Sequence, residues 1–279
     1  MEIKLLRNKL DEISKISNEA WMSNLDDRKQ KEMEFHDKHR TITRKKTLSK
    51  NEEKKIYGNR IFYAGTNSSH EYVKEWIKKH SKEKVFLDYA CGNGGHAILA
   101  AKAGAKLSVG LDISPGSIAN AKNIAEIESV AANTYFLQAD AENTKIPDNS
   151  IDVIVCSGML HHLDLSYALP ELRRIMTSGG RLLAIEALNY NPMIRIYREM
   201  TPNMRTEWEK NHILSLKDVK FASRFFNVEN IKFWHITSFL ATFCKPLLPV
   251  FNFMDSILTR MPGIRRMAWQ FTFELLKRK

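Results

Sequence analysis

The chain has 279 residues, ample for one α/β domain with additions and short for two full domains. Apolar residues make up 43% and charged residues 27%, near globular averages, which excludes disordered, collagen-like and fibrous classes. The formal net charge of +11 is unevenly placed: Lys+Arg outnumber Asp+Glu by sixteen to eleven over residues 1–60, equal them at nineteen each over 61–229, and exceed them by eight to two over 230–279. A neutral middle with basic ends suits nucleic acid, an anionic membrane or an acidic substrate as partner.

Three cysteines, Cys91, Cys156 and Cys244, and a start of MEIKLLRNKL with no apolar signal core point to a reducing cytosol and away from a disulfide framework. No run is long and apolar enough to span a membrane as a simple helix.

In chain order, residues 1–60 are expected to form an N-terminal helical cap, with Ile3, Leu6, Leu10 and Ile13 as one apolar stripe. From residue 61 the pattern changes to apolar runs alternating with helical stretches, the mark of βα repeats and a doubly wound, mostly parallel sheet. Strands are predicted at 85–89, 107–111, 134–138, 151–156, 181–187 and 228–235, and helices at 94–103, 115–129, 169–176 and 216–226. Near the end Trp269, Phe271, Phe273 and Leu275 alternate with Gln270, Thr272 and Glu274, a period of two that predicts a final, antiparallel strand. Residues 237–263 would then be a helical insert, rich in Phe, Leu and Met and punctuated by Pro246, Pro249 and Pro262.

The most informative stretch is Val85-Phe-Leu-Asp-Tyr-Ala-Cys-Gly-Asn-Gly-Gly95, an apolar strand running into a glycine turn and a helix. Gly92 and Gly94 let the backbone approach a ligand, and the helix start offers free N–H groups. Alone it also fits a dinucleotide fingerprint. Asp112 ends the second strand and Asp140 the third, so acids follow three successive strands at the edge where open α/β sheets bind ligands.

This run of motifs resembles a class I S-adenosylmethionine-dependent methyltransferase of the small-molecule type over roughly residues 60–235. The resemblance implies a Rossmann-like fold, with Asp88, Ala90, Gly92, Asn93 and Gly94 around the methionine part of the cofactor. Ala90 stands where the family usually has its first glycine. By the same resemblance Asp112 takes the ribose and Ile113 packs on adenine, Asp140 and the backbone of Ala141 recognise adenine, and Cys156 and Ser157 close the site. Tyr63, with Thr66, is expected to reach the cofactor carboxylate, and His36 and His39 precede the sheet on a segment that covers the cofactor in that family. A dehydrogenase is the rival on such a sheet, but Asp88 would repel a pyrophosphate and suits the methionine ammonium.

The fourth strand runs into Ser157-Gly-Met-Leu-His-His-Leu-Asp164. A hydroxyl acceptor needs a base, and His161 or His162 would stand at the pocket mouth, with Glu186 after the fifth strand holding one imidazole tautomer. The expected activity is therefore methyl transfer to a small or lipid-linked metabolite, O-methylation being favoured, with no metal. The alternative is an RNA methyltransferase using the basic termini, although the chain lacks the Asn/Asp-Pro-Pro-aromatic and Pro-Cys signatures of base-modifying enzymes. A non-catalytic cofactor-binding module is the third reading. For residues 237–263 two accounts stand: a lid burying Leu247, Phe251, Met254 and Leu258, or an interfacial helix giving peripheral membrane contact with basic side chains on headgroups.

Overall fold

The computed structural model describes residues 2–44, 65 and 67–278. Three helices open the chain: α1 (Ile3–Ser14), α2 (Asn18–Met22) and α3 (Asp27–Arg44). In α1 the expected stripe is the inward face, with Leu6, Leu10 and Ile13 buried and Ile3 packed beside them, against β3 (Thr134–Gln138). The Ser17 hydroxyl accepts the Ala20 N–H and so starts α2.

The body is a seven-stranded sheet. After α4 (Asn67–Ser81) come β1 (Val85–Tyr89), α5 (Gly95–Lys102), β2 (Leu107–Asp112), α6 (Pro115–Ile127), β3, β4 (Ile151–Ser157), α7 (Leu165–Ile175) and β5 (Met176–Ala187). There follow α8 (Pro192–Met200), α9 (Glu207–Asn211), α10 (Leu216–Ala222), β6 (Asn227–Trp234), α11 (Leu248–Leu258) and β7 (Gln270–Leu276). Strand order is β3-β2-β1-β4-β5-β7-β6, parallel except that β7 runs antiparallel to both its neighbours. Every residue of β1 and β2 is buried, as expected of central strands covered on both faces. The order reverses between β1 and β4, so the carboxyl ends of these strands open a crevice there.

β7 is the final antiparallel strand that the alternation predicts, and both its faces are covered: Gln270, Thr272 and Glu274 are as buried as the aromatic residues between them. The polar face is partnered: Gln270 accepts from the Ser69 hydroxyl at 2.9 Å, Thr272 from the Trp234 indole at 3.1 Å, and Glu274 from Tyr72 at 3.3 Å. The insert departs from the lid account. Phe251 and Leu258 are half-buried, while Leu247 and Met254 are exposed, so the expected single inward face is split. Among the described residues no helix is long and apolar enough to cross a membrane.

Candidate active site

Two cavities meet at the carboxyl edge of the sheet. The first, of about 180 Å³, is lined by Ala90, Gly92, Asp112, Ile113, Asp140, Ala141 and Ser157 from the sheet edge, and by Arg28, Lys29, Glu32 and His36 from α3. The second, of about 560 Å³, lies between α8, residues 239–243 and the ends of β4 and β5. They share Ser157, Gly158 and His162, so the end of β4 is the wall between them.

The turn after β1 is shaped by backbone conformation. Ala90, Gly92 and Gly94 all have positive φ, +61°, +51° and +77°. Gly94 has a second requirement, since a Cβ there would lie 2.5 Å from the Phe136 ring. Ala90 is therefore a costlier departure than its size suggests, because it holds a left-handed conformation that glycine adopts freely. Asp88 is buried behind the turn, accepting the Ala97 N–H at 3.2 Å, with His96 Nδ1 3.6 Å away. Burial draws the His96 pKa down, and the hydrogen bond and charge of Asp88 more than reverse this, leaving it raised. Asp88, Asn93, Gly94 and Cys156 support the first cavity without lining it, and burial pushes the Cys156 thiol well above its ordinary pKa. Tyr63 and Thr66 lie outside the described residues, as does the side chain of His39.

Asp112 is held from both sides, Oδ2 accepting the Gly92 N–H at 2.8 Å and Oδ1 the Ser114 N–H at 2.9 Å. Each oxygen keeps a further acceptor site, so the carboxylate stays able to receive two hydroxyls. Asp140 is more committed than the sequence suggested: Oδ1 accepts the Glu142 N–H at 2.8 Å, and Oδ2 lies 2.7 Å from Lys29 Nζ. Tyr89 donates to the Ala141 carbonyl and fixes the chain after β3. An acid able to take two hydroxyls, a small-residue turn beneath it and an apolar Ile113 fit a nucleoside carrying an amino-acid tail.

Sequence reasoning missed what α3 brings. Lys29 bridges Asp140 and Glu142, and Arg28 reaches Glu142 at 2.6 Å and the His162 carbonyl at 2.9 Å. Burial lowers the Lys29 pKa, but its two carboxylate partners outweigh that and raise it. Glu32 accepts from His162 Nδ1 at 2.9 Å and from the Thr206 hydroxyl, with His36 Nε2 at 3.6 Å. Burial alone would raise its pKa, yet these contacts hold it far below the carboxylate range. Nothing in the charged sequence of α3 marks these residues, because their partners are more than a hundred positions away.

On the other side of the wall, Glu186 is 1% exposed and accepts three contacts from one loop. Oε1 takes the Met159 and Leu160 N–H groups at 2.8 and 2.7 Å, and Oε2 lies 2.7 Å from His161 Nδ1. A carboxylate only accepts, so Nδ1 carries the proton and Nε2 is left as the basic nitrogen. Burial pulls the His161 pKa down, but Glu186 and then Glu209 raise it above its ordinary value, with Arg198 opposing. Glu209, 3.9 Å from Nε2, is itself paired with Arg198 at 3.3 Å and Arg205 at 3.6 Å.

These last three residues were also missed, although signals existed. Asn191-Pro192 is a helix start, and the Asn191 side chain accepts the Met193 and Ile194 N–H groups. Thr206 caps α9 by accepting the Glu209 N–H, the Thr-x-x-Glu spacing of a helix N-terminus. His161, His162 and Glu209 each offer a donor atom within 4.8 Å of the others, as do Glu32, His36 and His162, a spacing that could hold a metal ion. Arg198 and Arg205 already offset the charge of Glu209, which weakens its attraction for a cation.

The sheet order, the acid-and-small-residue turn and the acids ending β2 and β3 are similar to those of class I, S-adenosylmethionine-dependent methyltransferase domains. Residues 87–184 match the family model described as a methyltransferase domain. The ribosomal protein L11 methyltransferase of Pasteurella multocida (strain Pm70) is 34% identical over 122 residues, 43% of this chain and 40% of that protein. The uncharacterized methyltransferase YcgJ of Bacillus subtilis (strain 168) is 26% identical over 159 residues, 55% of this chain and 61% of that one. The chain thus spans less than two thirds of the length of these curated relatives. Among solved structures, that of YcgJ superposes with a TM-score of 0.53 at 17% identity, covering 75% of this chain and 99% of the other. A geranyl diphosphate C-methyltransferase from Streptomyces coelicolor A3(2) gives 0.55 at 15% identity, covering 75% and 79%.

Proposed function

We propose that this protein methylates a hydroxyl of a small or lipid-linked metabolite, with His161 as general base. The observation that carries this reading is the pinning of His161 Nδ1 by Glu186, which leaves Nε2 in the larger cavity beside its shared wall with the smaller one. In this reading Asp112, Ile113, Asp140 and the turn from Ala90 to Gly94 hold S-adenosylmethionine, with α3 lining the same cavity. When bound, that cofactor supplies its methyl group as an electrophile and leaves as a neutral thioether.

The chain's own residues do the rest. The acceptor hydroxyl gives its proton to Nε2, and Glu186 stabilises the resulting imidazolium. Ser157 and Gly158, which line both cavities, put no bulky side chain between them. Arg198 and Arg205, shared by the single carboxylate of Glu209, leave a net positive charge for an acidic group on the acceptor. His162, tied to Glu32, fastens α3 over the wall.

The ribosomal-protein activity named for several relatives belongs to proteins this chain matches over less than half their length. A nucleic-acid acceptor draws no support from the mouth of the larger cavity, where the exposed lining residues Met193 and Phe243 are apolar. The test is a screen of hydroxylated and amino acceptors with labelled cofactor. Turnover confined to hydroxyl acceptors and lost in His161→Ala supports the reading; equal turnover in that variant refutes the base.

A further inference from the structure

The roll of α11 is set by its one acid. Asp255 is turned inward, 7% exposed, and accepts the Thr237 N–H and hydroxyl, each at 2.7 Å, and the Ser238 N–H at 3.2 Å. With Asp255 inward, Val250, Phe253, Met254 and Ile257 face out, Phe253 at 68% exposure. Phe243 before the helix and Met261 after it are exposed as well. Across the cavity mouth α8 exposes Met193, Ile196 and Met200. Phe243 and Met193 both line the larger cavity, so the two apolar faces meet at its opening.

Single exposed apolar side chains are ordinary, but this many at one opening mark a covered surface. The charges around them identify what covers it. Lys245, Arg260, Arg265 and Arg266 are all exposed, and between residues 237 and 267 the sole acid is the inward Asp255. A second copy seated by symmetry on the same face would set these cations against their own counterparts. An anionic bilayer complements both features at once: acyl chains for Phe253 and Ile257, headgroups for the arginines.

We propose that α11, its flanking residues and α8 form a docking surface for an anionic membrane, with the mouth of the larger cavity opening at the lipid interface. Resting on the methyl-transfer reading above, this makes the acceptor a membrane-resident or lipid-linked hydroxyl compound. The docking itself requires no turnover, so it is tested separately.

The full chain is sedimented with phosphatidylcholine vesicles, with and without phosphatidylglycerol, at low and high salt. Binding is expected only with the anionic vesicles, and should weaken about tenfold or more as salt screens the basic contacts. Phe253→Glu with Ile257→Glu should weaken it by at least about tenfold, while calorimetric binding of S-adenosylmethionine stays unchanged and reports that the chain is folded. Arg260→Glu with Arg266→Glu, which leaves the apolar face intact, should remove the preference for anionic over neutral vesicles. The proposal is overturned if the chain stays in the supernatant with both vesicles at low salt, or if both double variants bind like the parent. It is equally overturned if the chain is a dimer in solution that Phe253→Glu dissociates, because a second copy then covers the face. Loss of cofactor binding in the parent chain would instead strike the methyl-transfer reading and leave the vesicle result standing.

Discussion

His161 Nδ1 lies 2.7 Å from Glu186 Oε2, while the other oxygen of the same carboxylate accepts the Met159 and Leu160 N–H groups. One side chain at the end of β5 thus fixes both the loop after β4 and the imidazole it carries. The loop cannot move without moving the base.

His161→Ala should lower turnover by on the order of a hundredfold or more with cofactor affinity retained. Because the His161 pKa is raised, the neutral base forms only above the ordinary imidazole range. The rising limb of kcat/KM against pH should therefore lie above about 6.5. Glu186→Gln removes the charge that favours the imidazolium and should move that limb to lower pH while reducing the rate. A limb unchanged in Glu186→Gln would show that another group titrates there.

Asp112→Ala should weaken S-adenosylmethionine binding by roughly 1.5–3 kcal/mol for each charge-assisted bond removed. It should also lower thermal stability, since the Gly92 and Ser114 N–H groups lose their acceptor. Asp112→Asn keeps an acceptor oxygen and should fall between. Calorimetry showing equal affinity in all three proteins would remove Asp112 from the ribose site.

How far the sequence reaches follows from which interactions are local. β1 and β3 carry the bounds their apolar runs predict, and the acids that end β1 to β3 fall at the sheet edge. β5 begins at Met176 rather than 181, because Met176 already pairs with Ile151 of β4 across an irregular register. Lys29 and Glu32 were invisible as site residues because their partners are tertiary. The burial of the polar residues of β7 is tertiary in the same way: α4 supplies Ser69 and Tyr72 as their partners.

Glu32 joins α3 to His162 and Thr206, so its loss should be felt at neutral pH and not in acid. Its folded pKa is depressed below the unfolded value of about 4.3. The contribution is therefore present above that pH and is lost as pH falls through the folded value. Glu32→Gln should lower stability by about 1–3 kcal/mol at pH ~7, with the gap from the parent narrowing in acid. Urea titrations at several pH values measure the gap; a gap independent of pH would mean that the carboxylate charge contributes nothing.

His235, at the root of the insert, also loses its contribution on acidification, in a higher pH window. It is 1% exposed, between Ser238 Oγ at Nδ1 and Ser69 Oγ at Nε2, each 2.8 Å away. The Ser69 hydroxyl donates to Gln270, so Nε2–H donates to Ser69 and Nδ1 accepts from Ser238. Both nitrogens are satisfied by the neutral ring, and burial lowers the pKa to about 4, although the charge of Asp255 pulls the other way. The unfolded chain then takes up a proton near pH ~6.5 that the folded protein refuses. Stability should fall as pH drops from about 6.5 toward about 4, by up to about 1.4 kcal/mol per unit and about 3 kcal/mol in all. His235→Gln offers a donor and an acceptor without a titrating ring, so the slope over that window should shrink by close to one proton while stability at neutral pH falls modestly. Since Ser238 also binds Asp255, protonation of His235 should loosen α11 first, seen as faster amide exchange in residues 248–258 at pH ~5 than at pH ~7 after correction for intrinsic rates. Equal exchange at both pH values, with the same unfolding slope in parent and variant, would show that this histidine does not anchor the insert.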